Sequence, residues 1–386
     1  MLIMKINLFH IINGYWSRDL YALLISELSE KNISQTVFVP VRKKEDLEKF
    51  RIKKEDIHYL YAYIINSVIY RIVFWLKIRK SIAYIKKNAD LKTFHLTHAH
   101  TLFSDGAISY YFYKKFHIPY VVTVRNTDLN IFYKYLFYLR PLGKKILMNA
   151  EKIIFLSETY KQRLLNRYTS ENIKNNLLMK SIVIPNGIND FWHQYSNNAQ
   201  KKKCKNDLFT FVFAGEFKKN KNIHSIIWSI EILRNKGYNC RFKAIGLGFN
   251  DDKDYVKYLF KLKADKDYIE FVNAVKKEEL IYLYKKTDIF IMPSFKESFG
   301  LVYAEALSQG LPVIYTENEG FDKNFENGFV GYAVNPLSVE DIVRKSELLI
   351  NNFEQIQKNC SQVSLKFSWK KISNKLYNIY SDIFIK

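Results

Sequence analysis

Short apolar runs alternate along this chain with polar loops and with segments of helical spacing. The apolar runs predict strands near residues 4–9, 34–40, 120–124, 152–156, 209–214, 240–245, 268–272, 288–292 and 312–315. Strands that are joined through helices pair in parallel, because a parallel connection needs a crossover of that length. The hydrophobic pattern therefore predicts an α/β protein with parallel sheets.

The clearest of these blocks runs from Asp288 to Tyr315 and has the order strand, loop, helix, strand. Pro293 closes the first strand, and helical spacing extends from 299 to 309. Gly310 stands where a helix favours a left-handed stop, and the second strand follows at once. The loop around Glu297 is therefore expected at the carboxyl end of a strand, where parallel sheets bind ligands.

The start of this predicted helix carries groups that suit an anionic or hydroxylated ligand. The amides of Phe299, Gly300 and Leu301 would be unpaired donors at the positive end of the helix dipole. The carboxylates of Glu297 and Glu305 flank them, and a carboxylate accepts well from the paired hydroxyls of a sugar or ribose. Glutamate near a helix start is also common for dipole reasons alone, so a structural role stays open.

Glu297, seven intervening residues and Glu305 lie between a Pro-Ser pair and an EA-x-x-x-G-x-PV segment. This pattern resembles the family 4 retaining glycosyltransferases. The resemblance implies the GT-B fold, two Rossmann-like domains with parallel sheets that face each other across a cleft. It also implies that Glu297 contacts a hydroxyl of the donor sugar, that Glu305 binds the nucleotide ribose, and that the amides at 299–301 approach the sugar or diphosphate.

The loop after the strand at 209–214 is the second part of the implied donor site. Gly215 belongs to it, and Lys221 matches the family lysine that meets the donor diphosphate, as a compact cation should. The family commonly has arginine directly after the glycine, where this chain has Glu216. Without that arginine, Lys218 or Lys219 could supply the charge to one phosphate contact, and the alternative is that both are ordinary solvated surface lysines.

The first half of the chain is implied to bind the acceptor. Gly14 lies in a strand-to-helix loop, and His100 lies in a segment that resembles enzymes of cell-surface polysaccharide assembly. Arg125 stands where many family members have a histidine that contacts the donor sugar. Arginine stays protonated, so it would stabilise a departing diphosphate rather than act as a base. Asp128 is a candidate partner or base for the acceptor hydroxyl, with a simple Arg125–Asp128 pair as the alternative.

No metal or other cofactor is expected. His95, His98 and His100 are close in sequence, but neither a cysteine nor an acidic cluster joins them. The three cysteines are scattered and odd in number, which fits a reducing compartment. The resemblance likewise implies transfer without a metal.

The net charge of +22 is concentrated in the first half of the chain. Residues 1–185 hold 30 Lys and Arg against 14 Asp and Glu, and the remainder holds 30 against 24. Such an excess favours an anionic partner: a membrane surface, a phosphorylated lipid or nucleic acid. A lysine-rich coding bias is the alternative, although it does not explain the difference between the halves. We see no pattern of a nucleic-acid-binding module and do not expect that partner.

Two segments of this half, 58–87 and 130–147, combine aromatic, aliphatic and basic residues in a way that suits a membrane interface. A core helix is the alternative for the first, and Pro141 is expected to break the second. No run reaches the roughly 20 apolar residues that span a bilayer, and the N-terminus is typical of a buried strand rather than a signal peptide. We therefore expect a cytoplasmic protein that is peripheral at the inner face of the membrane.

The 386 residues allow two domains, each with its own core. We predict an acceptor-side domain at 1–185 and a nucleotide-sugar-binding domain at 186–368, and the resemblance implies that a C-terminal helix at 369–386 packs onto the first. The predicted reaction is transfer of a sugar from a nucleoside diphosphate to an acceptor, a lipid-linked saccharide of a surface polysaccharide. The resemblance implies that this transfer retains the anomeric configuration and needs no metal. A sugar-nucleotide epimerase on the same fold and a non-catalytic membrane-associated scaffold are the alternatives.

Overall fold

The computed structural model describes residues 5–17, 19–65, 73–197, 199–248 and 250–385. The chain divides into two compact units: residues 1–187 with 369–386, and residues 188–368. Each unit is built on one parallel sheet with helices around it, so the predicted α/β class is confirmed. Of the helices within the described ranges, none combines the length and apolar character needed to cross a bilayer.

The described part of the first unit contains a seven-stranded sheet in the order β3-β2-β1-β4-β5-β6-β7. Its strands are β1 (Ile6–Ile11), β2 (Ile33–Val41), β3 (Ile57–Tyr63), β4 (Leu96–Ala99), β5 (Tyr120–Val124), β6 (Lys152–Phe155) and β7 (Ser181–Val183). The helices are α1 (Leu20–Ser29), α2 (Phe74–Asn88), α3 (Ser104–Phe116), α4 (Arg140–Asn149), α5 (Glu158–Arg167) and α6 (Glu171–Lys180).

A C-terminal helix, Trp369–Ile385, belongs to the first unit and covers one face of its sheet. Its buried side chains recur every three or four residues, as one apolar stripe of a helix requires, and pack with α1, β1 and β4. Gly187 allows the close approach of Trp369, because a Cβ at position 187 would lie 2.5 Å from the indole ring.

The described part of the second unit contains a six-stranded sheet in the order β10-β9-β8-β11-β12-β13. Its strands are β8 (Phe209–Ala214), β9 (Cys240–Leu247), β10 (Ile269–Asn273), β11 (Ile289–Met292), β12 (Val313–Thr316) and β13 (Gly331–Val334). The helices are α7 (Asp190–Gln194), α8 (Ile223–Asn235), α9 (Lys253–Lys263), α10 (Lys277–Lys285), α11 (Leu301–Ser308), α12 (Val339–Asn351) and α13 (Phe353–Ser364).

Both sheets have a topological switch point, the place where the strand order reverses. In the first unit it lies between β1 and β4, and in the second between β8 and β11. The loops after these strands leave the sheet at its carboxyl edge and diverge to opposite faces, which opens a crevice for ligands. The sequence-predicted site residues follow these strands or their neighbours.

The predicted stop of α11 is confirmed in detail. Gly310 has φ +76°, its amide donates to the Leu307 carbonyl, and the Leu311 amide donates to the Ala306 carbonyl. This is a Schellman end, which satisfies the last carbonyls of the helix. The helix itself is shorter than predicted, because it begins at Leu301 rather than at 299.

Two segments that the sequence singled out differ in outcome. The segment 58–87 is not one helix: it begins with the strand Ile57–Tyr63, and of its described residues Phe74–Asn88 is helical, while residues 66–72 lie outside the described ranges. The segment 130–147 is divided, as expected, into separate helical pieces, Asp128–Tyr133 and Arg140–Asn149. Pro141 lies in the first turn of the second piece, α4, where its missing N–H costs nothing.

The polar stretch 193–207 is mostly loop in its described residues, and it is bound to the core of the second unit. Lys201 and Lys203 both donate to the carboxylate of Asp288, at 3.1 and 2.6 Å. The Asp288 side chain is almost fully buried and also accepts from the Thr210 amide at 2.9 Å. Buried carboxylates need such partners, so this stretch stabilises the start of β11.

Candidate functional site

The loops after β8 and β11 meet at the switch point of the second sheet. The first loop carries the 3-10 turn Lys219–Lys221, and the second carries Glu297. The ammonium of Lys221 donates to Oε2 of Glu297 at 2.7 Å, and the side chains are 22% and 12% exposed. The structure therefore brings these two predicted donor-site residues together as a partly buried ion pair.

Two asparagines on either side of Lys221 hold the loops together. The Asn220 side chain donates to the Lys296 carbonyl at 2.9 Å, and the Asn220 backbone carbonyl accepts from the Phe295 amide at 2.9 Å. The Asn222 side chain donates to the Pro293 carbonyl at 3.0 Å. Asn222 also has φ +58°, a conformation that asparagine tolerates better than most residues. The sequence analysis did not identify either asparagine as a site residue, although both directly flank the predicted site residue Lys221.

The start of α11 has the backbone that the sequence predicted. Gly300 has φ +72°, and a Cβ there would lie 2.4 Å from the Tyr303 ring, so the position requires glycine. In the described part of the chain, no hydrogen bond satisfies the amides of Phe299, Gly300 or Leu301. Three amide donors at the positive end of a helix can therefore bind an oxyanion.

A third loop, after β12, supports the Glu297 backbone. The Glu319 carboxylate accepts from the Glu297 amide at 3.0 Å, and the Ser298 amide donates to Oε1 of Glu297 at 3.0 Å. A Cβ at Gly320 would lie 1.7 Å from the Ser298 carbonyl oxygen, so only glycine allows this contact. No local pattern indicates Glu319, because its partner is 22 residues away and the contact depends on the fold.

Gly215 ends β8 against the end of β9. Its amide donates to the Ile245 carbonyl at 2.9 Å. A Cβ at Gly246 would lie 2.4 Å from the Gly215 carbonyl oxygen, so the two glycines let the loops approach closely. Gly246 lies within β9, where the register with β10 shifts by one residue.

Asp251 ties the loop after β8 to the loop after β9, and sequence reasoning missed it. Its two carboxylate oxygens accept from the Phe217 amide at 2.8 Å and from the Gly248 amide at 2.7 Å. The Phe217 carbonyl in turn accepts from the Asp252 amide at 3.2 Å. The conformation between Gly215 and Lys221 is therefore fixed by hydrogen bonds from a neighbouring loop.

Glu216, which stands where the family has arginine, lies on the surface. It accepts from the Lys218 ammonium at 2.6 Å, and both side chains are almost half exposed. An exposed pair of this kind contributes little to stability. Lys218 therefore already has an acidic partner, and Lys219 opens the 3-10 turn that positions Lys221.

Glu305 lies half-buried on the second turn of α11. Burial, and then the negative charge of Glu305, raise the pKa of Tyr284 well above its usual value. The carboxylate is thus close enough to the buried phenol to influence its titration. The ribose-binding role of Glu305 stays a prediction.

In the first unit, the Arg125 side chain is fixed at the carboxyl end of β5. Its Nε donates to the His100 carbonyl at 3.0 Å, and Nη1 donates to Oδ1 of Asn186 at 3.3 Å. Its guanidinium lies over the Tyr21 ring, 4.9 Å from the centroid. Tyr21 and Asn186 were not predicted as neighbours of this arginine.

Asp128 is buried and accepts three backbone hydrogen bonds. The donors are the amides of Leu102 at 3.0 Å, Phe103 at 3.3 Å and Arg125 at 2.8 Å. Burial raises the pKa of Asp128 to about 6. The backbone of Arg125, rather than its guanidinium, makes the bond to Asp128, so the geometry favours a loop-capping carboxylate over a simple side-chain ion pair.

The His100 ring is buried, although we predicted that this residue meets the acceptor. Its Nε2 pairs with Nδ1 of His10 at 3.0 Å, and burial holds the pKa of His100 well below its usual value. His98 stacks on it at 3.9 Å and uses both ring nitrogens, to Tyr380 at 2.7 Å and to Thr123 at 2.8 Å.

Among the described residues, His10, His98 and His100 form the group that could hold a metal ion, with ligand atoms within 4.8 Å of one another. His95, which the sequence placed with them, instead accepts from the Asn7 amide. The hydrogen bond between His10 and His100, and those of His98 to Tyr380 and Thr123, occupy most of the nitrogens that a metal would need. Sequence reasoning missed His10, because β1 brings it to β4 only in the folded sheet.

The loop after β1 carries Gly14, whose carbonyl accepts from the Ser17 side chain at 2.7 Å. A Cβ at position 14 would meet nothing closer than 3.8 Å, so the loop does not require glycine there. The preceding Asn13 amide donates to Asp105 at 3.2 Å. Burial raises the pKa of Asp105 to about 7 and lowers the pKa of nearby Lys77 to about 8. Neither Asp105 nor Lys77 was predicted as a site residue.

Comparisons with known proteins agree with this architecture. The family described as Glycosyltransferase Family 4 matches residues 21–190, and Glycosyl transferases group 1 matches residues 195–364. The chain is 29% identical over 271 residues to the capsular polysaccharide biosynthesis glycosyltransferase CapM of Staphylococcus aureus, covering 68% of this chain and 70% of that one. It is 27% identical over 330 residues to the alpha-monoglucosyldiacylglycerol synthase of Acholeplasma laidlawii, covering 80% and 76%.

The fold is similar to that of Anabaena Alr3699/HepE in complex with UDP and glucose, with a TM-score of 0.65. The superposition covers 98% of this chain and all of that chain at 15% sequence identity. Two parallel-sheet domains with these matches define a glycosyltransferase of the GT-B fold. The chain belongs to the family 4 glycosyltransferases, and the resemblance seen in the sequence is confirmed.

Proposed function

We propose that this enzyme binds a nucleoside diphosphate sugar at the switch point of its second sheet. The observation that carries the proposal is the Lys221–Glu297 pair beside three open amides at the start of α11. The cation and the amides suit the diphosphate, and the carboxylate suits sugar hydroxyls. Alr3699/HepE, whose fold is similar, binds UDP and glucose in its crystal structure, which supports a uridine nucleotide as the first donor to test.

The proposed reaction is transfer to an acceptor hydroxyl with retention at the anomeric carbon. The bond from the acceptor oxygen to the anomeric carbon forms as the bond to the diphosphate breaks, and the proton of the acceptor hydroxyl passes to the departing diphosphate oxygen. Lys221 and the amides at 299–301 stabilise the charge that develops on the leaving diphosphate. Glu297 holds the sugar through a hydroxyl, Glu305 binds the ribose, and Gly215 lets the backbone approach the donor.

The first unit is proposed to bind the acceptor. Arg125 is its proposed electrostatic group, and its fixed guanidinium supports that role. Gly14 and His100 stay acceptor-side predictions. For Asp128, the three amide bonds support a positioning role, in which it fixes the loops after β4 and β5, more than a role as a base.

The proposed acceptor is a lipid-linked saccharide in the assembly of a surface polysaccharide. The names of two relatives support this choice: CapM is named for capsular polysaccharide biosynthesis, and the Acholeplasma laidlawii enzyme for a glucosyl diacylglycerol. The proposed place of action is the inner face of the cytoplasmic membrane, with an anionic lipid surface as partner. The positive excess of residues 1–185 supports it.

Thermal unfolding against a panel of UDP-, GDP- and ADP-sugars tests the donor site. A ligand at 100 times its dissociation constant stabilises by about 2.7 kcal/mol, which raises the unfolding temperature of a domain this size by about 5 °C or more. We expect Lys221→Ala to abolish the shift and the neighbouring surface variant Lys218→Ala to keep it. If every nucleotide sugar leaves wild-type unfolding unchanged at millimolar concentration, the proposal fails.

The reaction itself is tested by analysing the product. Nuclear magnetic resonance of the new glycosidic bond should show the anomeric configuration of the donor, and inversion would contradict retention. Addition of EDTA should leave the rate unchanged if transfer needs no metal ion. Acceptor-independent conversion or release of the sugar would instead point to an epimerase.

A further inference from the structure

The segment that follows Asp128 exposes large apolar side chains to solvent. Ile131 is 49% exposed, Tyr135 62%, Phe137 69% and Tyr138 54%. Single exposed apolar residues are ordinary on protein surfaces, but several together mark an interaction surface. We call these four side chains the aromatic patch.

The backbone under the aromatic patch is held in place by contacts to the core of the first unit. It begins with a π-helical turn, Asp128–Tyr133. Arg140 donates twice to the Tyr133 carbonyl, from Nε at 2.9 Å and from Nη2 at 2.7 Å. The Phe132 ring stacks on Phe103 at 4.8 Å. The segment thus buries some of its large apolar side chains, and the aromatic patch consists of the four that stay exposed to solvent.

The aromatic patch adjoins the first turn of α2. The Phe132 ring meets the Phe74 ring edge-on, with 6.2 Å between centroids. Next to Phe74, Val73 is 44% and Trp75 is 49% exposed. Farther along α2, Ile78 and Ile85 are buried, so this helix presents its apolar face to the core. Compared over their described residues, the segment 130–147 exposes more large apolar side chains than the segment 58–87, whose residues 66–72 lie outside the described ranges.

The charge around the aromatic patch is positive. Residues 129–150 contain no Asp or Glu, and their cations are Lys134, Arg140, Lys144 and Lys145, all on the surface. The Lys134 ammonium lies over the Tyr135 ring, 5.0 Å from the centroid. On the adjoining helix α5, Glu158 pairs with Lys161 at 3.4 Å. An anionic partner would meet little repulsion here.

We propose that the aromatic patch and its lysines dock this enzyme on an anionic lipid bilayer. Aromatic rings are favoured at headgroup depth, where one side of the ring meets apolar chains and the other meets water, and lysines near such a surface are attracted to its negative charge. The docking surface deepens the proposed function by naming how the enzyme reaches a lipid-linked acceptor. The biological role of docking rests on the proposed function, but binding to the bilayer itself requires no sugar transfer.

Flotation with liposomes tests the docking surface on the full chain. Wild type should float with vesicles that contain phosphatidylglycerol and stay behind with pure phosphatidylcholine, and binding should weaken as salt rises. The variant Tyr135→Ser/Phe137→Ser/Tyr138→Ser and the variant Lys134→Glu/Lys144→Glu/Lys145→Glu should each bind at least about tenfold more weakly.

Matched controls come from exposed residues of the second unit. The variant Phe260→Ser/Tyr282→Ser/Leu337→Ser removes a similar exposed apolar area, and Lys257→Glu/Lys261→Glu reverses charge on one helix. Both should float like wild type. If wild type ignores anionic vesicles, or if the patch variants bind as it does, the proposal is overturned. If the patch variants instead dissociate a dimer in sedimentation, the surface binds a second copy and the membrane proposal is also overturned.

A second measurement separates this proposal from the proposed function. The unfolding shift caused by a nucleotide sugar should be the same in the patch variants and in wild type, because the donor groups lie in the second unit. Flotation of wild type without any change in unfolding temperature on addition of a nucleotide sugar would overturn the donor site but not the docking surface. A change in unfolding temperature without flotation would overturn the docking surface but not the donor site.

Discussion

Lys221 and Glu297 are held in place by hydrogen bonds to the backbone of the loops that carry them. Asn220 and Asn222 bond to the backbone of the loop after β11, and Gly300 makes the turn into α11 possible. The charged groups therefore need little reorganisation when a ligand arrives. Preorganised groups of this kind are the most effective in stabilising developing charge.

Removing the ammonium at position 221 should therefore reduce catalysis strongly. We expect Lys221→Ala to lower kcat by about 10²-fold or more, the scale of losing one preorganised contact to a transition state. Lys218→Ala, three residues away and exposed, should change kcat by less than about twofold. Steady-state transfer rates with a saturating donor decide the matter, and equal loss in both variants would contradict the assignment.

The buried histidines of the first unit should make stability depend on acid. Burial lowers the pKa of His10 to about 3 and holds the pKa of His98 and His100 well below the usual value. Below about pH 6.5 these histidines bind protons in the unfolded chain but stay neutral in the folded chain. Their contribution to the free energy of unfolding is therefore fully present above about pH 6.5 and is lost as the pH falls.

Thermal unfolding between pH 7.5 and 5 measures this dependence. We expect His10→Gln to reduce the slope by about one proton, or about 1.4 kcal/mol per pH unit, whereas His58→Gln, on an exposed strand position, should not change it. Identical slopes in both variants would show that the acid response has another source.

The sequence identifies some site residues and misplaces others for a physical reason. Lys221 and Glu297 lie in local patterns of strand, loop and helix, which one stretch of sequence displays completely. The burial of His100 depends on His10, 90 residues earlier, and Asp128 finds its amide partners at the end of another strand. Contacts between distant segments leave no local pattern, so their consequences appear only in the fold.

Among the elements, the C-terminal helix completes the first unit. Its Tyr380 hydroxyl reaches His98 in β4, which in turn reaches Thr123 in β5. A buried hydrogen-bonded chain thus links the helix to two strands. The family resemblance implied that this helix packs on the first unit, but nothing in the sequence indicated which strand it would contact.

Removing this hydroxyl should destabilise the first unit without affecting the donor site. Tyr380→Phe leaves a buried imidazole short of one partner, which costs about 1–3 kcal/mol. We expect a fall of several degrees in unfolding temperature, and little change in Tyr377→Phe on the same helix. The shift caused by a nucleotide sugar should persist in both variants, and its loss in Tyr380→Phe would indicate a wider role for the network.

Strand β3 shows why some elements were assigned wrongly. Its residues Ile57–Tyr63 alternate unevenly between buried and exposed positions, since it is the edge strand of the sheet. A run of aromatic and aliphatic residues can form a strand or a buried helix, and periodicity alone does not decide between them. The central strands β5 and β8, by contrast, have the predicted limits, because nearly continuous burial produces a run in which all residues but one threonine are apolar.

At the scale of the whole molecule, the two units differ in how the chain builds them. The second unit is one continuous stretch, 188–368, whereas the first needs both ends of the chain. Each has its own hydrophobic core. Continuous stretches with their own core usually fold alone.

Separate expression of the two stretches should show this difference. We expect residues 188–368 to unfold cooperatively and to bind a nucleotide sugar, as measured by calorimetry and thermal shift. Residues 1–187 alone would expose the sheet face that the C-terminal helix covers, so they should bind a hydrophobic dye, and addition of a peptide of residues 369–386 should reduce that binding. A well-folded 1–187 fragment without dye binding would contradict the expectation.

The Lys221–Glu297 ion pair at the switch point has a consequence for release of the nucleoside diphosphate by-product. In the empty enzyme, Glu297 already neutralises the cation on which a diphosphate would settle, so a phosphate group must compete with it. An intact donor compensates by offering hydroxyls to the carboxylate, but a nucleoside diphosphate that has lost its sugar does not. The resting charge balance should thus favour departure of the by-product and limit its inhibition, and Glu297→Gln should hold free nucleoside diphosphate more tightly than wild type in calorimetric titration.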